Sequence, residues 1–181
     1  MALDIYLLSL SQSEYDLVSN KIDGNSRVKT PLMSWDIYSQ SYESKLEEAR
    51  KEQDIIKVKS YAKKFNWKNN IESIFKNELF EAILITDVKQ NIIWVNKGFS
   101  KMTGYSKSEA LHKSPRFLQG SVTSVKVKQK IKENLNLNLP FKAVITNYKK
   151  NGTTYNCEVK IFPLLTGNIK THYIALERQI N

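Results

Sequence analysis

The sequence predicts an α+β unit, a five-stranded antiparallel sheet with short helices over one face, preceded by an N-terminal helical extension. Three observations carry this. Two short β-rich runs, Ala82–Asp87 and Ile92–Val95, flank the turn Val88-Lys-Gln-Asn and read as a hairpin. Three further β-rich stretches, Phe141–Tyr148, Thr153–Leu164 and Thr171–Arg178, close the chain. Between the two sets lie only segments with helical spacing and helix caps.

The extension comes first. Ser13, followed by apolar residues at helical spacing, suggests a short helix, and Asp23-Gly24-Asn25-Ser26 is a turn cluster. Trp35, Tyr38, Tyr42, Leu46 and Ala49 then recur at steps of three or four, with Ser34 as the expected N-cap. The pattern runs on through a charged stretch to Ile55, Ile56, Val58, Ala62 and Phe65. The length of this stripe favours a homodimer contact, while packing on the same chain stays open. A further amphipathic segment, Ile71 to Leu79, leads into the sheet, so the boundary is placed between a helical region 1–76 and a second region 77–181.

Within the second region, Asn96 opens a short helix that Gly104 closes, and Ser106-Lys-Ser-Glu starts another turn. Val122–Leu135 reads as a helix with Val125, Val127 and Ile131 inward. Asn151-Gly152 is a hairpin turn between the first two of the last three strands.

Composition narrows the function classes. The chain is 41% hydrophobic and 25% charged, as globular proteins are, and six glycines with four prolines leave little room for long flexible linkers. The N-terminus is apolar but short and carries an acid, which argues against a signal peptide or membrane anchor. Cys157, the single cysteine, fits a reducing cytoplasm. The net charge of +10 is concentrated after Lys76, where 16 Lys/Arg stand against 7 Asp/Glu. That field suits a phosphate-bearing partner or simply solubility. Lys126, Lys128, Lys130 and Lys132 advance by twos around a helix without interleaved aromatics, which argues against a nucleic-acid stripe. No catalytic constellation, metal-ligand cluster or phosphate-cradling glycine loop stands out, so no enzyme and no metal are expected. His112 and His172 read as surface or packing residues.

Ile85-Thr86-Asp87, Asn96, Phe99 and Thr103-Gly104-Tyr105 resemble the opening half of a PAS domain. Arg116-Phe117-Leu118-Gln119-Gly120 narrows the resemblance to the light-oxygen-voltage (LOV) flavin photoreceptors, and Ile145–Thr153 matches their strand-and-turn pattern. The resemblance implies a flavin mononucleotide (FMN) site. Arg116 would hold the phosphate, with Lys132 where a second arginine is usual. Gln119 would meet the ribityl chain or ring, Asn147 the pyrimidine edge, and Ile85, Leu118, Ile131 and Ile145 the apolar walls.

Departures from the pattern fall on the same site. Pro115 stands in the slot of the photoactive cysteine and offers no nucleophile, so the standard cysteinyl-flavin adduct is excluded there. Ser114 replaces an asparagine, Cys157 aligns with a second edge asparagine (Asn156 is adjacent), and Glu177 stands near the usual glutamine of the last strand. An ionised Glu177 would repel a flavin carbonyl unless protonated. Trp94 or a tyrosine would serve as electron donor in cysteine-less photoreduction. Two functions remain open: a flavin-binding sensor signalling through its N-terminal helices to an unidentified downstream protein, and a ligand-free PAS interaction domain whose pocket has degenerated.

Overall fold

A computed structural model describes residues 31–180, with side chains from residue 45 onward. The helix expected near Ser13 and the turn Asp23–Ser26 lie outside the described residues, as do the side chains of Trp35, Tyr38 and Tyr42. Helix α1 spans Pro31–Phe65. It starts three residues before the expected cap Ser34, because proline's fixed φ and missing N–H suit a first helical position. Residues from Ala49 onward form one compact unit.

Its sheet comprises β1 (Ala82–Asp87), β2 (Ile92–Val95), β3 (Phe141–Tyr148), β4 (Thr154–Thr166) and β5 (Ile169–Ile180), in the order β2-β1-β5-β4-β3. Every pairing is antiparallel. The last two strands are longer than their β-rich cores suggest. Pro163 fits within β4 because β3 ends its pairing at Phe141 opposite Ile161, which leaves β4 unpaired on that side beyond it. Gly167, at φ +61°, then lets the chain turn back into β5.

Side chains alternate between the two faces. On the outer face, Val58 from α1, Trp67 from the following loop, and Ile74 and Phe75 from α2 (Ile71–Phe75) cover Ile83, Ile85, Ile174 and Leu176. Polar pins reinforce this packing. The Thr166 hydroxyl donates to the Phe65 carbonyl (2.7 Å), and Asn69 bonds β4 twice, donating to the Pro163 carbonyl and accepting from the Leu165 N–H. The Trp67 indole donates to His172 Nδ1 (3.1 Å), whose ring lies 4.2 Å from that of Phe65. His172 is thus a packing residue.

The inner face carries α3 (Lys97–Thr103), α4 (Lys107–Ala110), a 3-10 turn (Pro115–Leu118) and α5 (Val125–Asn136). Gly104 closes α3 at φ +78°, and Ser106 with Glu109 forms a capping box on α4. Helix α5 begins at Val125 rather than Val122, and Val125, although 75% exposed, lies on the side of the helix that lines a cavity against the sheet. Val127, Ile131 and Leu135, spaced by four, form the stripe that packs toward the core.

Candidate ligand cavity

The run Arg116–Gly120 mixes two jobs. Leu118 is buried in the inner core, Phe117 packs edge-on against Tyr105 at 5.0 Å between ring centroids, and Gly120 lies against the Tyr148 ring. A Cβ on Gly120 would come within 2.4 Å of that ring, so any larger residue here must displace Tyr148. Arg116 and Gln119 do something else. They line a cavity of about 580 Å³ between the inner face of β1, β4 and β5 and the helical layer, a volume in the range of small-molecule sites.

Leu84, Val159, Ile161 and Ala175 supply apolar walls from the sheet, and Ile131 and Leu135 from α5. Arg116, Lys128 and Lys132 bring cationic ends to the lining, and none has an ion-pair partner among the described residues. Glu177 lines the cavity from β5 and is buried.

The structure therefore brings four expected residues together on one lining: Arg116, Gln119, Lys132 and Glu177. Ser114 precedes the 3-10 turn without a side-chain cap bond and stands off the lining, as do buried Asn147 and Cys157. Ile85 is misassigned by one residue. Its pairing with Ile174 and Trp94 puts it in the outer cluster, while Leu84 and Thr86 face the cavity. In a strand, a slip of one exchanges the faces. Trp94 lies in the same outer cluster, so it is on the wrong side of the sheet to face a ligand. Leu118 and Ile145 belong to the inner core beside the cavity.

One residue missed by the sequence reading is Tyr155. It pairs with Asn147 across β3 and β4 and lies two residues before Cys157, hence on the same face. The period-two pattern after Asn151-Gly152 contains this information once the inward register is known. Three buried side-chain atoms have no hydrogen-bond partner: Asn147 Oδ1, the Tyr155 hydroxyl and Glu177 Oε2. Burial pushes the Glu177 carboxyl up to about 7. Burial, and secondarily the charge of Glu177, also raises the Tyr155 hydroxyl and the Cys157 thiol. All three groups are therefore held toward their neutral forms.

A flavin requires cations at its phosphate end, apolar walls along its ring and hydrogen-bonding groups at its polar edge. The cations and walls are on the lining, and the unpartnered polar atoms sit on the same inner face of the sheet. Unsatisfied buried polar atoms are costly and rare in finished cores. The residues present fit the group.

Residues 81–180 match the PAS domain family over more than half of the chain. The chain belongs to the PAS domain family. Among relatives of this PAS domain, a blue-light photoreceptor of Listeria innocua is 34% identical over 102 residues, which cover 55% of this chain and 40% of that protein. A nitrogen fixation regulatory protein of Klebsiella oxytoca is 33% identical over 102 residues, 55% of this chain and 20% of that one. The chain thus spans less than half the length of these relatives. A light-oxygen-voltage domain solved in work on a flavin analogue superposes with a TM-score of 0.55 at 26% identity, covering 61% of this chain and 84% of that one. The light-state Aureochrome1 LOV structure gives a TM-score of 0.55 at 22% identity, over 62% and 90% of the two chains, and supports the fold alone. LOV-type proteins are thus among the relatives of this domain.

Proposed function

We propose that this protein is a LOV-like sensory module that binds FMN and signals without the standard cysteinyl-flavin adduct. The observation that supports this best is the joint presence of unpaired cations on the cavity lining and unpartnered polar atoms on the same inner face of the sheet. Arg116 binds phosphate as a fork, with Lys132 adding charge. Gln119 contacts the ribityl chain or ring, and Asn147 and Glu177 meet the polar edge. Ser114 and Cys157 stand behind that edge. FMN supplies light absorption and redox chemistry when bound, and Pro115 denies it a thiol at the usual position.

The signal leaves through α1. Asn96 supports this route, because its Oδ1 accepts from the N–H groups of Ile83 and Phe99, while its Nδ2 donates to Asp54 Oδ2 at 2.8 Å. One side chain therefore ties β1 and the cap of α3 to α1. The upstream part of α1 provides the homodimer contact, through which a downstream signalling protein is addressed. The single buried thiol accords with a cytoplasmic setting.

Purified full-length protein is expected to be yellow or to turn yellow with added FMN, and to show no light-induced thiol adduct. Colourless protein that takes up no FMN refutes the cofactor and favours the ligand-free interaction domain. Light scattering of the full chain is expected to give twice the chain mass; a monomer at every concentration refutes the dimer.

A further inference from the structure

The end of α1 is fastened to the outer face of the sheet through one imidazole. The Trp67 indole, 7% exposed, donates to His172 Nδ1 at 3.1 Å, and the His172 ring lies 4.2 Å from that of Phe65, the last residue of α1. An indole N–H only donates. Nδ1 therefore carries a lone pair, and His172 is neutral with its proton on Nε2. Thr171 Oγ1 stands 2.9 Å from the same Nδ1 and can either donate to it or accept from it. A second proton on the ring thus finds an acceptor in Thr171, while the Trp67 N–H is left facing another donor. Both protonation states satisfy His172, but only the neutral one satisfies Trp67.

We infer that His172 is a proton-operated latch: taking up a proton ejects the Trp67 indole and frees the end of α1 from the sheet. The latch lies on the face opposite the cavity and works with or without a ligand there. The surroundings of His172 support it. Asp87 stands directly opposite on β1. Burial works against the Asp87 carboxylate, but hydrogen bonds led by those from Asn91 outweigh it and hold the group ionised. Its charge favours the imidazolium, and among the described residues no ion pair yet joins the two. Leu164, opposite on β4, is apolar, and Tyr61 of α1 stacks on Phe65. Lys63, Lys64 and Lys68, which flank Phe65 and Trp67, are exposed. Lys170 on β5 turns to the inner side and donates to the Leu135 carbonyl at 2.6 Å. Burial holds the His172 ring below its usual 6.5, with Asp87 acting against that shift, so the proton arrives as pH falls below 6.5.

The test follows the indole N–H resonances of the full chain by NMR from about pH 8 to about pH 5, a range that spans histidine titration. The Trp67 signal is assigned by its loss in Trp67→Phe. In the wild type that signal is expected to shift with one midpoint below 6.5. His172→Gln keeps an uncharged acceptor and is expected to hold the signal in place throughout. At about pH 5 the amides of residues 60–68 are expected to exchange with deuterium roughly three- to tenfold faster in the wild type than in His172→Gln, the loss of one hydrogen bond. At about pH 8 the two proteins should exchange alike. A wild-type Trp67 signal that stays put, an observation that needs no variant, overturns the latch. So does a signal that moves equally in His172→Gln, or equal exchange of residues 60–68 in acid. None of these readouts uses FMN, so failure of the latch and failure of the cofactor reading are distinguishable.

Discussion

The two faces of one sheet are finished to different standards. The outer face meets α1 and α2 with fully buried Ile83, Ile85, Leu164 and Ile174, and the polar groups at its edge find partners in Asn69, Thr166 and His172. The inner face is just as regular in its strands but carries a cavity and all three unpartnered buried side-chain atoms identified among the described residues. The same backbone supports both, so the difference lies in what each face is packed against. A face closed by its own chain optimises packing and hydrogen bonds. A face shaped for another molecule keeps groups that only that molecule satisfies.

This contrast can be broken most sharply on the outer face. Ile85→Ala removes a fully buried side chain there and is expected to cost in the upper half of about 2–5 kcal/mol by urea unfolding. The remaining folded protein should bind FMN with unchanged affinity. A selective loss of affinity would show that the faces are not separable.

On the inner face the sign reverses. A carboxyl whose folded pKa is raised loses stability as pH climbs from its unfolded value of 4.5 to about 7, because only the unfolded chain ionises in that window. Glu177→Gln is therefore expected to stabilise the ligand-free protein by on the order of 3 kcal/mol at about pH 8, and by little below about pH 4. Equal unfolding midpoints at both pH values would show that Glu177 does not carry this burden.

Arg116→Ala sharpens the comparison further. The side chain is exposed at the cavity, so thermal stability should stay within about 0.5 kcal/mol. FMN affinity should fall by about 1.5–3 kcal/mol, the range for a hydrogen bond to a charged group, while affinity for riboflavin, which lacks the phosphate, should hold. Equal losses for both ligands would remove Arg116 from the phosphate.

The smallest effect belongs to the outer pins. Trp67→Phe deletes the bond to His172 and is expected to cost about 1 kcal/mol in unfolding experiments, without altering FMN binding.

Local chemistry made most of the architecture readable. Gly104, the Ser106–Glu109 box and Asn151-Gly152 announce their turns because backbone conformation there depends on the residue itself. The five strands and their succession along the chain follow from β-rich runs bounded by such signals. Arg116, Gln119, Lys132 and Glu177 were also legible as one group, and they do share one lining. The misses have a common cause. Ile85 and Trp94 differ from inner-face residues only in strand parity, and both faces of a central strand are apolar when both are covered. Ile83, Leu84 and Ile85 are all fully buried, so hydropathy cannot say which of them faces a ligand.

By itself, then, the sequence determined the family and the order of elements along the chain, because these depend on residue identity and short-range geometry. Tertiary structure alone decided which face each strand residue serves, that α1 seals the outer face, and that Tyr155 joins Glu177 on the inner one. Those outcomes depend on register and on long-range packing, which no local pattern encodes.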